Sequence, residues 1–204
     1  LVVERFDRRW ATDRTWLMRL PQEDMCQAVG VSGNLKYEND GGPGMRAIMD
    51  ILLGSERSYE DRRVFMMTQL LFWMLAAIDG HAKNFSIFHL RGGLFRMTPL
   101  YDVISVHPLI VNGQLASQRV HMAMAVQSKN RHYRRDKIVR RHWIEAARKC
   151  RYSTNEMNKI IEECCDCVDG AIERVAARIP DAFPEVIANA IFAGLQSSRE
   201  SLVR

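Results

Sequence analysis

The densest apolar pattern runs over residues 59–78, where Val64, Phe65, Met66, Leu70, Leu71, Phe72, Trp73, Met74 and Leu75 follow a charged lead-in of Glu60, Asp61, Arg62 and Arg63. Apolar residues on almost every side of a helical wheel predict a helix central to the core. Its Met-rich, aromatic face reads as packing rather than as a cofactor box. Helical spacing returns over 45–53, closed by Gly54, and in three C-terminal stretches at about 135–149, 154–178 and 183–203. Thr154 is the expected cap of the second of these, and Pro180 and Pro184 punctuate the third. Residues 1–5 read as a short buried strand, 7–15 as a polar, turn-rich stretch and 16–20 as a second strand. Pro21 with Glu23 and Asp24 predicts a short helix that ends before Gly30. Residues 31–44 form a long loop. Residues 85–90 and 94–100 alternate around Arg91-Gly92-Gly93, the one convincing hairpin, and the chain beyond Pro108 is irregular through Val126.

Composition narrows the class. With 204 residues, 47% hydrophobic and 26% charged, the chain is the size of one ordinary domain with a sizeable core. No apolar run reaches the roughly 18 residues of a membrane span and the start lacks a signal-peptide pattern, so no membrane partner and a cytoplasmic location are expected. Cys26, Cys150, Cys164, Cys165 and Cys167 are odd in number and lack framework spacing, which argues against a disulfide scaffold. Cys164-Cys165-Asp166-Cys167 is a poor zinc site, because adjacent residues on a helix point about 100° apart. The apolar opening Leu1-Val2-Val3 suggests a start inside an element of a longer protein. The net charge of +5 is uneven: residues 129–151 hold ten Lys/Arg against Asp136 and Glu145. That segment is either a solvated helix face or a surface for phosphates.

The chemistry concentrates in Asp79-Gly80-His81-Ala82-Lys83-Asn84, followed by the hairpin and then Tyr101-Asp102-Val103. A buried helix delivers a carboxylate at a turn, an amide follows five positions later, and a second carboxylate comes after the return strand. This is the layout of a kinase catalytic site, in which a base Asp receives the hydroxyl proton while Asn and Asp oxygens hold magnesium against the nucleotide phosphates. Each residue alone also has a purely structural reading: Asp-Gly is a common turn, Asn84 can satisfy a strand end and Asp102 can cap a bend. Gly41-Gly42-Pro43-Gly44 lacks the Lys-Ser/Thr of a phosphate loop and reads as structural. No Gly-rich strand–loop and no strand Lys paired to a helix Glu occurs in the first 60 residues, so either the chain is no kinase or a small lobe lies upstream.

Several blocks together resemble the HipA family of bacterial serine/threonine kinase toxins: Val2 to Arg8, Arg19 to Asp24, Lys36-Tyr37-Glu38, Asp40 to Gly44, Asp79 to Ser86 and Thr98 to Asp102. The resemblance is dense to about Pro108 and thinner, but continuous, to the C-terminus. It implies a mainly α (α+β) fold, a protein-kinase-like C-terminal lobe in which a small β-hairpin carries the active site, with the N-lobe absent. Residues 1–20 would hold the hinge and first strands, 21–108 the catalytic and metal-binding core, and 109–204 a helical region with the basic segment. By the resemblance, Glu4, Arg5 and Phe6 form the hinge against the adenine and Asp79 is the base. His81, Ala82, Lys83 and Asn84 line the nucleotide, Asn84 and Asp102 hold Mg2+, and Tyr101 stands beside them. ATP and Mg2+ are the implied cofactors. The implied partners are a HipB-like antitoxin on operator DNA, contacted by Arg148 and Arg151 with Lys149 a lesser candidate, and an aminoacyl-tRNA synthetase substrate, glutamyl-tRNA synthetase first. In complex with antitoxin the protein would be nucleoid-associated. The competing class is a non-catalytic C-lobe that docks antitoxin and operator DNA.

Overall fold

The computed structural model describes residues 2–203. The chain divides into two compact units, one comprising the residues up to Arg63 together with His81–Asp102, the other Val64–Gly80 and Val103 onward. The architecture is mixed α+β and mostly helical, with three small antiparallel sheets among the described residues.

In the first unit, β1 (Arg8–Trp10) pairs antiparallel with β2 (Leu17–Arg19). The predicted strand at 1–5 is not formed over its described part. Val2 and Val3 are exposed, and pairing starts three residues beyond the predicted strand, within the stretch read as turns. Apolar character there does not serve a strand's buried face, and the strand that does form is mostly polar. Leu1 lies outside the described residues. The short helix expected from Pro21 also changes. Gln22–Asp24 form β3, the edge of a sheet whose middle strand is β4 (Ser86–His89) and whose far edge is β5 (Phe95–Met97). Only then does helix α1 (Met25–Val29) begin, capped by a reciprocal pair: Gln27 N–H donates to Asp24 Oδ1 and Asp24 N–H to Gln27 Oε1, both at 3.0 Å. Gly30, with φ +75°, ends it in the left-handed conformation glycine tolerates. The predicted hairpin is β4–β5, and it acquires a third strand.

Helix α2 (Met45–Ile51) follows the glycine loop, which is structural as expected. A Cβ at Gly42 would lie 2.0 Å from the Leu35 carbonyl oxygen, and one at Gly44 2.4 Å from the Glu38 carboxyl carbon, so the backbone and a carboxylate already fill the space. The core of this unit is Met25, Cys26, Ile48, Met49, Leu52, Phe85 and Ile87. Helix α3 (Ser58–Leu75) starts here, and Asp61 in its first turn is buried, accepting from Ser55 Oγ and from the Met97 N–H of β5 at 2.9 Å.

The second unit is built on the rest of α3, with α4 (His107–Val111), the hairpin β6 (His121–Gln127) and β7 (Arg131–Arg134), α5 (Arg140–Lys149), α6 (Thr154–Ala176) and α7 (Glu185–Val203). The β6–β7 hairpin replaces the end of the expected irregular stretch and the residues beyond it. Met122 to Val126 are all buried, so β6 shows no alternation, and Met and Ala carry no strand preference of their own. Residues 135–137 form a short 3-10 turn, so α5 starts five residues later than predicted. The cap of α6 is Ser153, whose Oγ accepts from Glu156 N–H at 3.3 Å; Thr154 is the first helical residue. Trp143 of α5 meets Trp73 edge-on at 6.3 Å, and α6 packs between α5 and α7 through Met157, Ile160, Ile161, Cys164 and Val168.

The C-terminal end of α3 is held from several directions. Its last carbonyls lie in apolar surroundings and would be costly to leave unpaired. Arg135 Nε donates to Trp73 O at 2.7 Å and Ser105 Oγ to Leu75 O at 2.6 Å. Met74 O accepts from Ser198 Oγ and from His107 Nε2, both at 2.9 Å. A carbonyl can only accept, so His107 is the tautomer carrying its proton on Nε2. Burial pulls the His107 pKa down and lowers that of Arg135 to about 10, so at neutral pH the ring stays neutral and the guanidinium charged.

The face of His107 away from Met74 leaves no room on α7. A Cβ at Gly194 would lie 2.4 Å from the imidazole, which its hydrogen bond holds in place. Gly194→Ala should therefore destabilise the fold by about 1–3 kcal/mol, although the same change in an open helix stabilises by about 1 kcal/mol. Chemical denaturation of the two proteins gives the sign directly.

Candidate active site

The first unit contains a cleft of about 710 Å³. One wall is the segment Val3 to Asp7, another is β3 with Gln22, Glu23 and Asp24, and Lys83, Ser86 and Pro99 to Asp102 close the rest. Phe6 anchors the first wall. Its ring stands edge-on to Phe88 at 5.9 Å and tilted against Tyr101 at 5.7 Å. Asp7 behind it is buried and accepts both Nε and Nη2 of Arg5 at 2.8 Å, with Arg8 as a second partner. The Arg5 hydrogen bond, helped by both positive charges, holds the Asp7 pKa at about 2.

The turn Ala82–Asn84 delivers the polar floor. Lys83 Nζ reaches across to Asp24 Oδ2 at 2.8 Å, and this hydrogen bond raises the lysine pKa. The Tyr101 hydroxyl donates to Lys83 O at 2.6 Å and lies 2.6 Å from Ser86 Oγ. Since the phenol has one proton and a carbonyl cannot donate, the serine is the donor of the second bond. Burial pushes the Tyr101 phenol above its ordinary range. Asn84 is buried, and its Nδ2 donates to Asp102 Oδ2 at 2.8 Å. The carboxylate fixes which way the amide faces, because only the nitrogen can donate to it. Asn84 Oδ1 is then left buried with no hydrogen-bond partner. Asp102 has φ +57°, the left-handed region that a non-glycine residue adopts at a cost.

Asn84 and Asp102 carry hard oxygen donors of the kind magnesium takes, and the Asn84 oxygen is the one left unmatched when its nitrogen bonds the carboxylate. That ion takes one or two protein oxygens and completes its octahedron with water and phosphate. Among the described residues no group of three or more His, Cys, Asp or Glu is placed to hold a metal by itself, as a dedicated transition-metal site would require.

Of the residues predicted from sequence, Glu4, Arg5, Phe6, Lys83, Tyr101 and Asp102 line this cleft, and Asn84 joins it through Asp102. His81 and Ala82 do not line it. The His81 ring is buried edge-on against Tyr37 at 5.0 Å, and Ala82 is fully buried with its N–H on Lys36 O. Asp79 is exposed, in the turn that follows α3 in the second unit. Arg148 and Arg151 are exposed on and just after α5, Arg148 paired with Glu145. Elsewhere in the basic segment Arg134 pairs with Asp136, Arg140 with Glu162, and Arg135 is turned into the core, so much of the local charge is already matched. The polar cleft residues not singled out from sequence are Asp7, Arg19, Gln22, Glu23, Asp24, Gln27 and Ser86. Most lie inside the blocks that carried the family resemblance, which was the available signal.

The fold is the mixed α+β, kinase-like one. The model of the HipA-like C-terminal domain matches residues 1–172, and the chain belongs to that family. Serine/threonine-protein kinase toxin HipA of Shewanella oneidensis is 36% identical over 118 residues, 52% of this chain and 27% of that protein. A protein bearing a kinase name, Y4mE of Sinorhizobium fredii, is 38% identical over 106 residues, 52% of this chain and 25% of that protein. The matched region thus spans about a quarter of these relatives. A solved complex of the Shewanella oneidensis toxin–antitoxin system, HipA with HipB and operator DNA, aligns over 98% of this chain and 48% of that one, with a TM-score of 0.85 at 19% identity. The fold expected from sequence is the one found.

The Asp7 ion pairs give the cleft wall a pH dependence. A carboxyl whose pKa falls from 3.8 to about 2 on folding adds stability that is complete above pH 4 and is lost as pH drops from there towards 2. Asp7→Asn should flatten the stability profile across that window, measured by denaturant midpoints between pH 2 and 6.

Proposed function

We propose that this chain is the catalytic lobe of a HipA-like serine/threonine protein kinase acting with Mg-ATP. The single observation that carries this reading is the Asn84–Asp102 pair with its orphan buried oxygen, together with the cleft beside it. Asn84 and Asp102 would hold magnesium, which would supply neutralising charge at the phosphate oxygens. Glu4, Arg5 and Phe6 present backbone groups to the adenine, in a segment kept in place by the Phe6–Phe88–Tyr101 cluster and the Asp7 ion pairs. Lys83, oriented by Asp24, faces the phosphates. His81 and Ala82 act through the backbone, by fixing the turn that carries Lys83 and Asn84. Asp79 receives the proton of the acceptor hydroxyl.

The family resemblance extends the proposal to an aminoacyl-tRNA synthetase as acceptor, glutamyl-tRNA synthetase first, and so to arrest of translation and growth leading to persistence. It also extends to neutralisation by a HipB-like antitoxin on operator DNA. The solved relative being a complex with HipB and operator DNA supports the second part. Arg148 and Arg151 are the proposed phosphate contacts, and the protein would be cytoplasmic, nucleoid-associated when bound to antitoxin.

The test is transfer of γ-phosphate from labelled ATP to purified synthetases by a protein in which this lobe is joined to an N-terminal lobe. Asp79→Asn should lower transfer by about 10³-fold with nucleotide binding retained. Asp102→Asn should raise the magnesium concentration needed for half-maximal rate. Wild-type transfer by the Asp79 variant would remove it as the base. For the basic segment, Arg148→Ala with Arg151→Ala should reduce the salt slope of binding to the antitoxin–operator complex by about 2, read from binding isotherms at several salt concentrations.

A further inference from the structure

The β1–β2 hairpin carries exposed tryptophans and arginines, most of which neither the fold nor the nucleotide cleft uses. Directly paired residues share a face of a two-stranded ribbon, and so do residues two apart. The register Arg8↔Arg19 and Trp10↔Leu17 therefore puts Arg8, Trp10, Leu17 and Arg19 on one face. Arg9, opposite Met18, lies on the other, and the ladder continues one step to Trp16, whose carbonyl accepts from Ala11 N–H at 2.9 Å. Each face thus offers an indole and at least one guanidinium. Trp10 is 56% exposed, Trp16 57% and Leu17 48%.

Two of the nearby acids are already engaged. Asp7 is taken by Arg5 and Arg8, and the Asp13 carboxylate turns back to accept Thr15 N–H at 3.1 Å. Arg9, Arg14 and Arg19 have no carboxylate partner among the described residues. Arg14 sits at the tip with φ +56°, and Arg8, Arg9, Trp10 and Arg14 border an open concavity of about 760 Å³. Arg19 also lines the 710 Å³ cleft, so the ribbon starts at the cleft's edge.

We infer that this hairpin is a docking surface for single-stranded nucleic acid. Unpaired guanidiniums meet phosphates and exposed indoles stack on bases, and a single strand supplies both in alternation. A duplex buries its base faces and leaves the tryptophans without partners. An acidic protein segment would match the arginines but has no flat rings to cover indoles on two faces. The assignment does not depend on the kinase reading. It does place bound nucleic acid beside the cleft.

Tryptophan fluorescence of the whole chain tests this. Trp73 and Trp143 are buried at 3% and 1% exposure, so a change produced by a ligand at the surface arises from Trp10 and Trp16. A short oligouridylate should quench the emission, and the quench should vanish in Trp10→Phe with Trp16→Phe. Arg9→Gln with Arg14→Gln should weaken binding and lower the salt slope by about 1.4, the value for two phosphates of a single strand. Circular dichroism of each variant checks that it is folded. Absence of quenching, an equal response to a duplex or to polyglutamate, or an unchanged slope in folded Arg9/Arg14 variant would overturn the inference.

Discussion

The end of α3 is the constraint on which the second unit depends. The last turns of this helix are buried at Phe72, Trp73 and Met74, so its last carbonyls need partners from the protein, and residues distant in the chain meet that demand: Arg135, Ser198, His107 and Ser105. Arg135 does more than donate. Its guanidinium also lies 5.4 Å from the Trp73 ring and donates to Ser198 Oγ at 2.6 Å, so one buried cation ties the helix end, the turn after β7 and α7 together. Ala76, with φ +49°, turns the chain out of the helix immediately afterwards, and three residues later comes Asp79. The hydrogen bonds that fix the end of α3 thus help to place the proposed base within its own unit.

The first unit solves a different problem, holding several polar groups still without satisfying all of them. Asp24 shows the economy of the solution: it ends β3, caps α1 through one oxygen and orients Lys83 with the other. Tyr101 closes the chain's return from β5 by bonding to Lys83 O and Ser86 Oγ together. These bonds fix Asn84 between a rigid turn and a rigid carboxylate, and one oxygen remains unmatched. A buried acceptor of this kind costs about 1–3 kcal/mol when nothing binds it, which a hard cation would recover.

The sequence was legible wherever one residue's pattern had one cause. The all-round apolar run of α3, the hairpin at Arg91-Gly92-Gly93 and the amphipathic C-terminal helices were all visible. It was misleading where tertiary context overrode the local signal. Pro21-Gln22-Glu23-Asp24 has the composition of a helix start, yet the edge of β4 recruits Gln22 to Asp24 as a strand and Asp24 becomes the cap of the helix that follows. Met122 to Val126 is buried across a hairpin, so neither alternation nor propensity announced it. At the site, the spacing from Asp79 through Asn84 to Asp102 suggested the chemistry. It could not show that His81 and Ala82 are buried away from the cleft, or that Asp24, far earlier in the chain, orients Lys83. Charge counting along residues 129–151 likewise missed that Arg135 points inward and that Arg134, Arg140 and Arg148 have acidic neighbours.

Asp102 sets two selective pressures against each other. Its backbone lies where glycine would be more comfortable, while its carboxylate is what orients Asn84. A library of this chain screened only for solubility or heat resistance would drift away from aspartate at that position and still yield well-folded protein. The same screen would retain Asp7, whose ion pairs stabilise the fold. Folding yield is therefore a poor guide to whether a variant of this domain keeps its cleft competent, and for Asp102 the two properties would tend to move in opposite directions.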